Sequence, residues 1–152
     1  MGVKENKELV RRYLTTPPEV IREAQKAKDP VTVLQKGYRA VAEQLFAPDF
    51  VLHQDGGKGG REDVIQLNFA LIAAFPDCSF SLEKMVAEGD IVVAMGRMLG
   101  THKGSYQGTP ATGKKVDVGY MVMYRIARGK FIEAWAYMDT FGLMQQLGAI
   151  PK

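Results

Sequence analysis

The sequence predicts an α+β fold in which helices come first and an antiparallel sheet follows. Three observations predict it. Apolar residues recur at helical spacing up to Phe46 and again from Arg61 to Phe75. Runs rich in apolar, aromatic and β-branched residues then fill most of Ser79 to Asp139. Glu88-Gly89-Asp90 and Arg128-Gly129-Lys130 punctuate those runs as tight hairpin turns. Helices followed by hairpin-linked strands is an α+β order.

Taken in order, Lys4 to Leu14 forms a first helix, with Leu9, Val10, Tyr13 and Leu14 on or near one face. Thr15-Thr16-Pro17-Pro18 stops it and starts another. Thr16 is placed as an N-cap and Pro17 at the first helical position. The second helix runs to about Lys28, where Asp29-Pro30 breaks it. Val31 to Phe46 carries the clearest helical stripe, Leu34, Tyr38, Val41 and Leu45. Phe50 to Gln54 is a short strand, followed by the flexible Gly-rich loop Asp55 to Gly60. Arg61 to Phe75 is a helix with Val64, Leu67, Leu71 and Phe75 facing inward. Strands follow at about Ser79–Glu88, Asp90–His102, Lys115–Ala127 and Lys130–Asp139. A short closing helix ends at Gly148, a favoured C-terminal stop.

Length and composition set the bounds. One domain over residues 1–152 is expected, long enough for a single core. A hydrophobic content of 46% and a charged content of 24% are those of an ordinary globular protein. No run approaches the ~18 apolar residues of a membrane span, so no membrane partner is expected. Met1 to Lys7 lacks the apolar core of a secretory signal, and the single Cys78 fits a reducing compartment, so the expected location is cytoplasmic. The net charge of +3 sits on the N-terminal helices, dispersed along solvated faces. A nucleic-acid site wants a concentrated basic stripe with interleaved aromatics, and none is present.

The C-terminal stretch is the most informative. Side chains alternate across a strand, so Phe131, Glu133, Trp135, Tyr137 and Asp139 are expected to share one face. That face would carry a row of aromatic surfaces with a carboxylate at its end. Such a row suits a pocket for a flat apolar ligand, bounded by Trp135 and Tyr137 and by apolar residues of the Val31–Phe46 helix, Tyr38 among them. Asp139 has two readings. It can act as an acid or base at the end of that row, or it can cap the helix that follows, a position that favours Asp.

Glu133-x-Trp135-x-x-x-Asp139 followed by Gly142-Leu143-Met144-Gln145-Gln146-Leu147-Gly148 resembles the SnoaL-like polyketide (ester) cyclases of the nuclear-transport-factor-2-like superfamily. Supporting pieces lie in the same order upstream: Leu45 to His53, Phe75-Pro76-Asp77, Val86 to Asp90, Gly100-Thr101-His102-Lys103-Gly104 and Pro110 to Lys114. The resemblance covers roughly Glu43 to Gly148, and the segment Thr15 to Lys28 departs from it as additional helix. It implies a cone-shaped α+β barrel, with a curved antiparallel sheet wrapped around the N-terminal helices and a pocket in the mouth. It implies that Asp139 is a general base. Together with strands apolar on both faces, such as Val118 and Met121, it implies a homodimer or homotetramer joined through the sheet's outer face.

The expected chemistry follows from that set. Asp139 would remove a proton alpha to a carbonyl, and the enolate would close a ring within a hydrophobic, polyketide-like substrate. His102 or a Tyr would hold the developing oxyanion. Trp135, Tyr137, Tyr38, His53 and Tyr120 are the candidate substrate contacts. Isomerisation, dehydration and epoxide hydrolysis use similar parts, and a non-catalytic binding protein keeps the same pocket. No cofactor and no metal are expected, because His53 and His102 lack metal-ligand spacing. Gly108 to Lys115 imitates a phosphate-binding loop. However, Lys115 replaces the hydroxyl residue and a strand follows, so it reads as a turn.

Overall fold

Local chemistry explains most of the helix boundaries. The computed structural model describes residues 2–151. Helix α1 spans Val3–Leu14, α2 Pro18–Lys26 and α3 Pro30–Leu45. The start of α2 differs from expectation. Pro17 occupies the N-cap position and Pro18 the first turn, and Thr16 makes no cap. Asp29 both ends one helix and starts the next, since its side chain accepts the Thr32 backbone N–H at the head of α3. Helix α4, Arg61–Ala74, is opened by the Asp63 carboxylate accepting the Gly60 N–H at 2.7 Å. Its expected inward stripe is corrected at one position. Val64, Ile65, Ala74 and Phe75 are buried, whereas Leu67 is 47% exposed.

Six strands form one open sheet in the order β2-β1-β6-β5-β4-β3. They are β1 Phe46–Gln54, β2 Gly57–Gly59, β3 Ser79–Glu88, β4 Ile91–Thr101, β5 Lys115–Ala127 and β6 Lys130–Met138. The four C-terminal strands form the expected antiparallel meander. The addition is β1, which lies parallel to β6 and begins earlier than expected, at Phe46. The last strand therefore lies between β1 and β5. Short β2, expected as loop, pairs antiparallel with β1 across a turn in which Asp55 and Gly56 have positive φ. Register shifts in β1, β3 and the β5–β6 pair bend the strands and give the sheet its curvature.

Helices cover one face of this sheet. Val10, Ala42 and Leu45 from the helices pack with Val92, Ala94, Val122, Tyr124, Phe131 and Ala134 from the strands. A second apolar cluster gathers Phe75, Met98, Val116 and Val118 under Leu143 and Leu147 of α5, Thr140–Leu147. Full burial of a large apolar side chain contributes about 1.5–3 kcal/mol, so these two clusters fix which face of every strand points inward.

Candidate functional site

A single irregularity decides where the expected aromatic row goes. Arg125 pairs with Glu133, but the next residue, Ile126, pairs with Phe131. Ile132 is left over as a bulge, and a bulge changes which side of the sheet the following residues face. Phe131 is wholly buried against Phe46 and Tyr124 on the helix side. Beyond the bulge, Ala134, Ala136 and Met138 point inward, so Glu133, Trp135 and Tyr137 point outward. The expectation that Phe131, Trp135 and Tyr137 share one face is therefore corrected. Tyr38 lies on the other side of the sheet from Trp135, and the pocket expected between them is not formed.

The outer face has its own constellation. His53 lies beside Trp135 in the β1–β6 register, and the two rings stack. His53 Nε2 is 2.7 Å from Glu133 Oε2. Arg125 donates to Glu133 Oε1 at 2.8 Å and places its guanidinium 5.6 Å from the Trp135 ring centre. Around this polar cluster the face is apolar: Tyr137 is 68%, Val86 60% and Met121 47% exposed.

On the inner face, Tyr38 and Tyr13 share a hydroxyl–hydroxyl hydrogen bond of 2.7 Å. Burial pushes the Tyr13 phenol up to about 12, against a smaller opposing effect of that bond. Tyr120 lies across β4. Its hydroxyl donates to the Ser81 carbonyl of β3 at 2.8 Å, which the missing side chain of Gly96 allows. Burial and then the charge of Glu83 raise its phenol above the ordinary value. Its proton is committed to Ser81, so its oxygen is left as an acceptor.

His102 is fully buried beside Phe75, with ring centres 5.4 Å apart. The Thr112 backbone N–H donates to its Nδ1 at 3.2 Å, so the neutral ring carries its proton on Nε2. That Nε2 has no hydrogen-bond partner among the described residues. The loop from Lys103 to Lys114, which holds most of the Gly108–Lys115 turn, closes over this ring: His102 N–H donates to Lys114 O and Gly113 N–H to His102 O.

Asp139 stands at the end of β6, exposed, at the head of α5. Its backbone N–H donates to Gly119 O, and its Oδ1 accepts the Gly142 N–H at 2.9 Å. The preceding Met138 is paired with Tyr120, so Asp139 is one residue beyond the level of that phenol. Arg97, bonded mainly to Asp117, also feels the Asp139 charge. Two open grooves lie elsewhere. One, of about 460 Å³, runs between β2 and α4 along Leu52, Lys58 and Leu67. The other, of about 400 Å³, lies along Leu99, Asp117 and Gln146. Among the described residues no group of three or more His, Cys, Asp or Glu gathers for a metal, and no helix is long and apolar enough to cross a membrane. Sequence reasoning missed Asn6, which is buried on α1 with its side-chain oxygen unpartnered. Its signal was the position one turn before Val10 on the apolar stripe of α1.

An open, bent sheet with helices across one face defines the nuclear-transport-factor-2-like class of folds. Within it, the profile of the SnoaL-like polyketide cyclases matches residues 27–147, and the chain belongs to that family. No curated protein sequence matches it. Among solved structures, it resembles a protein from Jannaschia sp. CCS1 described as a SnoaL-like polyketide cyclase. That pair has a TM-score of 0.78 and 27% identity, covering 97% of this chain and 94% of the other. IdmH from Streptomyces antibioticus, described as a polyketide cyclase, gives a TM-score of 0.66 at 27% identity, covering 75% and 89%. AclR from Streptomyces galilaeus, described as a hydroxylase, gives 0.79 at 22% identity, covering 99% and 85%, a likeness of fold alone.

Proposed function

We propose that the protein is a cofactor-independent acid–base enzyme of this family, closing a ring within a hydrophobic, polyketide-like small molecule, with Asp139 as the base. The observation that carries this reading is the state of Asp139. It is the carboxylate of the Trp-x-x-x-Asp pattern, it is accessible, and its one side-chain hydrogen bond among the described residues leaves Oδ2 unengaged. The substrate lies on the inner face against Tyr120 and reaches Asp139 around the end of β6, since Asp139 follows the inward-pointing Met138. Asp139 removes the proton alpha to a carbonyl, and the enolate carbon, held near the second carbonyl, attacks it to close the ring. Such positioning replaces much of the entropic barrier of a bimolecular reaction. His102, whose Nε2 lacks a hydrogen-bond partner among the described residues, is the donor for the oxyanion once the loop over it moves aside. Tyr38 and Tyr120 are the inner contacts. His53, Trp135 and Tyr137 serve the outer face, which joins copies into a homodimer or homotetramer.

A second reading rests on the Asp139–Gly142 bond. A carboxylate that caps a helix has an oxygen held by a backbone N–H, as Asp139 Oδ1 is by Gly142. On that reading the protein binds a hydrophobic small molecule without turning it over, and Asp139 only starts α5. Asn caps a helix as well as Asp does but has no basic oxygen, so turnover by Asp139→Asn separates the two.

A further inference from the structure

Two side-chain atoms among the described residues are buried without a hydrogen-bond partner: His102 Nε2 and Asn6 Oδ1. The reading above uses the first. The second lies on α1, outside residues 27–147 matched by the family profile. Asn6 is 2% exposed and sits on the buried side of α1, one turn before Val10. Helix α1 packs on the inner face of β3 and β4. Tyr120 crosses the same two strands to reach Ser81. Asn6 and Tyr120 therefore both reach the inner face over β3 and β4. The amide oxygen is a strong acceptor, and leaving it buried and unmatched is costly in a free protein. Leu at this position would keep the shape and avoid that cost.

We propose that Asn6 is a specificity residue: its side-chain oxygen accepts a hydrogen bond from a hydroxyl group on the small molecule bound beneath α1. The proposal rests on the inner-face binding reading above. Asn6 Oδ1 is one acceptor beneath α1, and the Tyr120 oxygen, whose own proton is held by Ser81, is another on the strands that α1 covers. Such a surface selects a ligand that offers hydroxyl donors on an otherwise flat apolar body, such as a phenol or an enol.

The test uses the full chain with two probes, 2-naphthol and naphthalene, in NMR titrations of the wild type and of Asn6→Leu. One neutral hydrogen bond is worth about fivefold in affinity. The expected result is that Asn6→Leu loses about fivefold in affinity for 2-naphthol relative to naphthalene, with its melting temperature unchanged or raised. The same relative loss in Asn6→Ala supports the proposal should the Leu variant fail to fold. An unchanged ratio overturns it and leaves the binding reading standing; this is also what a resident water as the sole partner of Oδ1 produces. Failure of the wild type to bind either probe overturns the inner-face binding reading, and the Asn6 assignment with it.

Discussion

The imidazole of His53 lies flat on the indole of Trp135, with ring centres 4.9 Å apart and planes 8° from parallel. The contact exists because β1 runs parallel to β6, which sets His53 opposite Trp135. It also marks Trp135 as a residue of the outer face.

The first prediction follows from the bulge at Ile132. Phe131 is wholly buried, and Phe131→Ala is expected to cost about 3–5 kcal/mol. Trp135 is only partly buried and rests on His53 and Arg125, so Trp135→Ala should cost clearly less, under about 3 kcal/mol. Urea unfolding of both variants measures this. A larger loss for Trp135→Ala would mean that the ring is the more deeply packed of the two.

The second concerns assembly. Met121, Tyr137 and Val86 lie on the helix-free face and are 47%, 68% and 60% exposed. A single chain gains by covering so much apolar surface. Light scattering at micromolar concentration is expected to give a dimer or tetramer mass. Met121→Glu with Tyr137→Glu is expected to return it to one chain, since a joined interface would bury these charges unpaired. A wild-type mass of one chain would contradict the assembly.

The third concerns alkaline pH. Burial pushes the Tyr13 phenol from 10.0 to about 12 and the Cys78 thiol from 9.0 to about 11. Both are neutral when protonated, so the folded state holds their protons more tightly than the unfolded state. Their contribution is full below about pH 9, the unfolded value of the thiol, and is lost as pH rises toward 12. Melting temperature should therefore fall over that window. Absorbance at ~295 nm should show the buried tyrosines ionising only as the protein unfolds. Full titration of all tyrosines near pH 10 in folded protein would contradict the burial of Tyr13, Tyr38 and Tyr124.

Periodicity sufficed for the helices and the meander, because each has a buried side that its apolar spacing records. Three features were illegible for physical reasons. The bulge at Ile132 leaves no trace in composition, and a one-residue slip moves every later side chain to the other face. The aromatic row therefore splits at the bulge, with Phe131 on the helix side and Glu133, Trp135 and Tyr137 on the other, although all four lie in β6. The parallel β1–β6 pairing joins segments far apart in sequence, which local patterns do not encode. The orphaned oxygen of Asn6 is a property of what surrounds it. Its position was readable on the apolar stripe of α1, but its lack of a partner was not. Both readings of Asp139 were legible, and the structure adds the Gly142 bond, which leaves the choice between them to kinetics.

Asp139→Ala helps to frame that choice, since loss of a cap costs typically ~1 kcal/mol and Asp139→Asn should cost less. Stability alone does not tell a base from a cap. The direct measurement is turnover of a true polyketide-type substrate by Asp139→Asn, beside an equilibrium measure of its binding. If Asp139 is the base, turnover falls about 10²–10⁴-fold, the usual contribution of a positioned acid or base, while binding stays close to wild type. Turnover at the wild-type rate would contradict the account and leave Asp139 as the cap of α5.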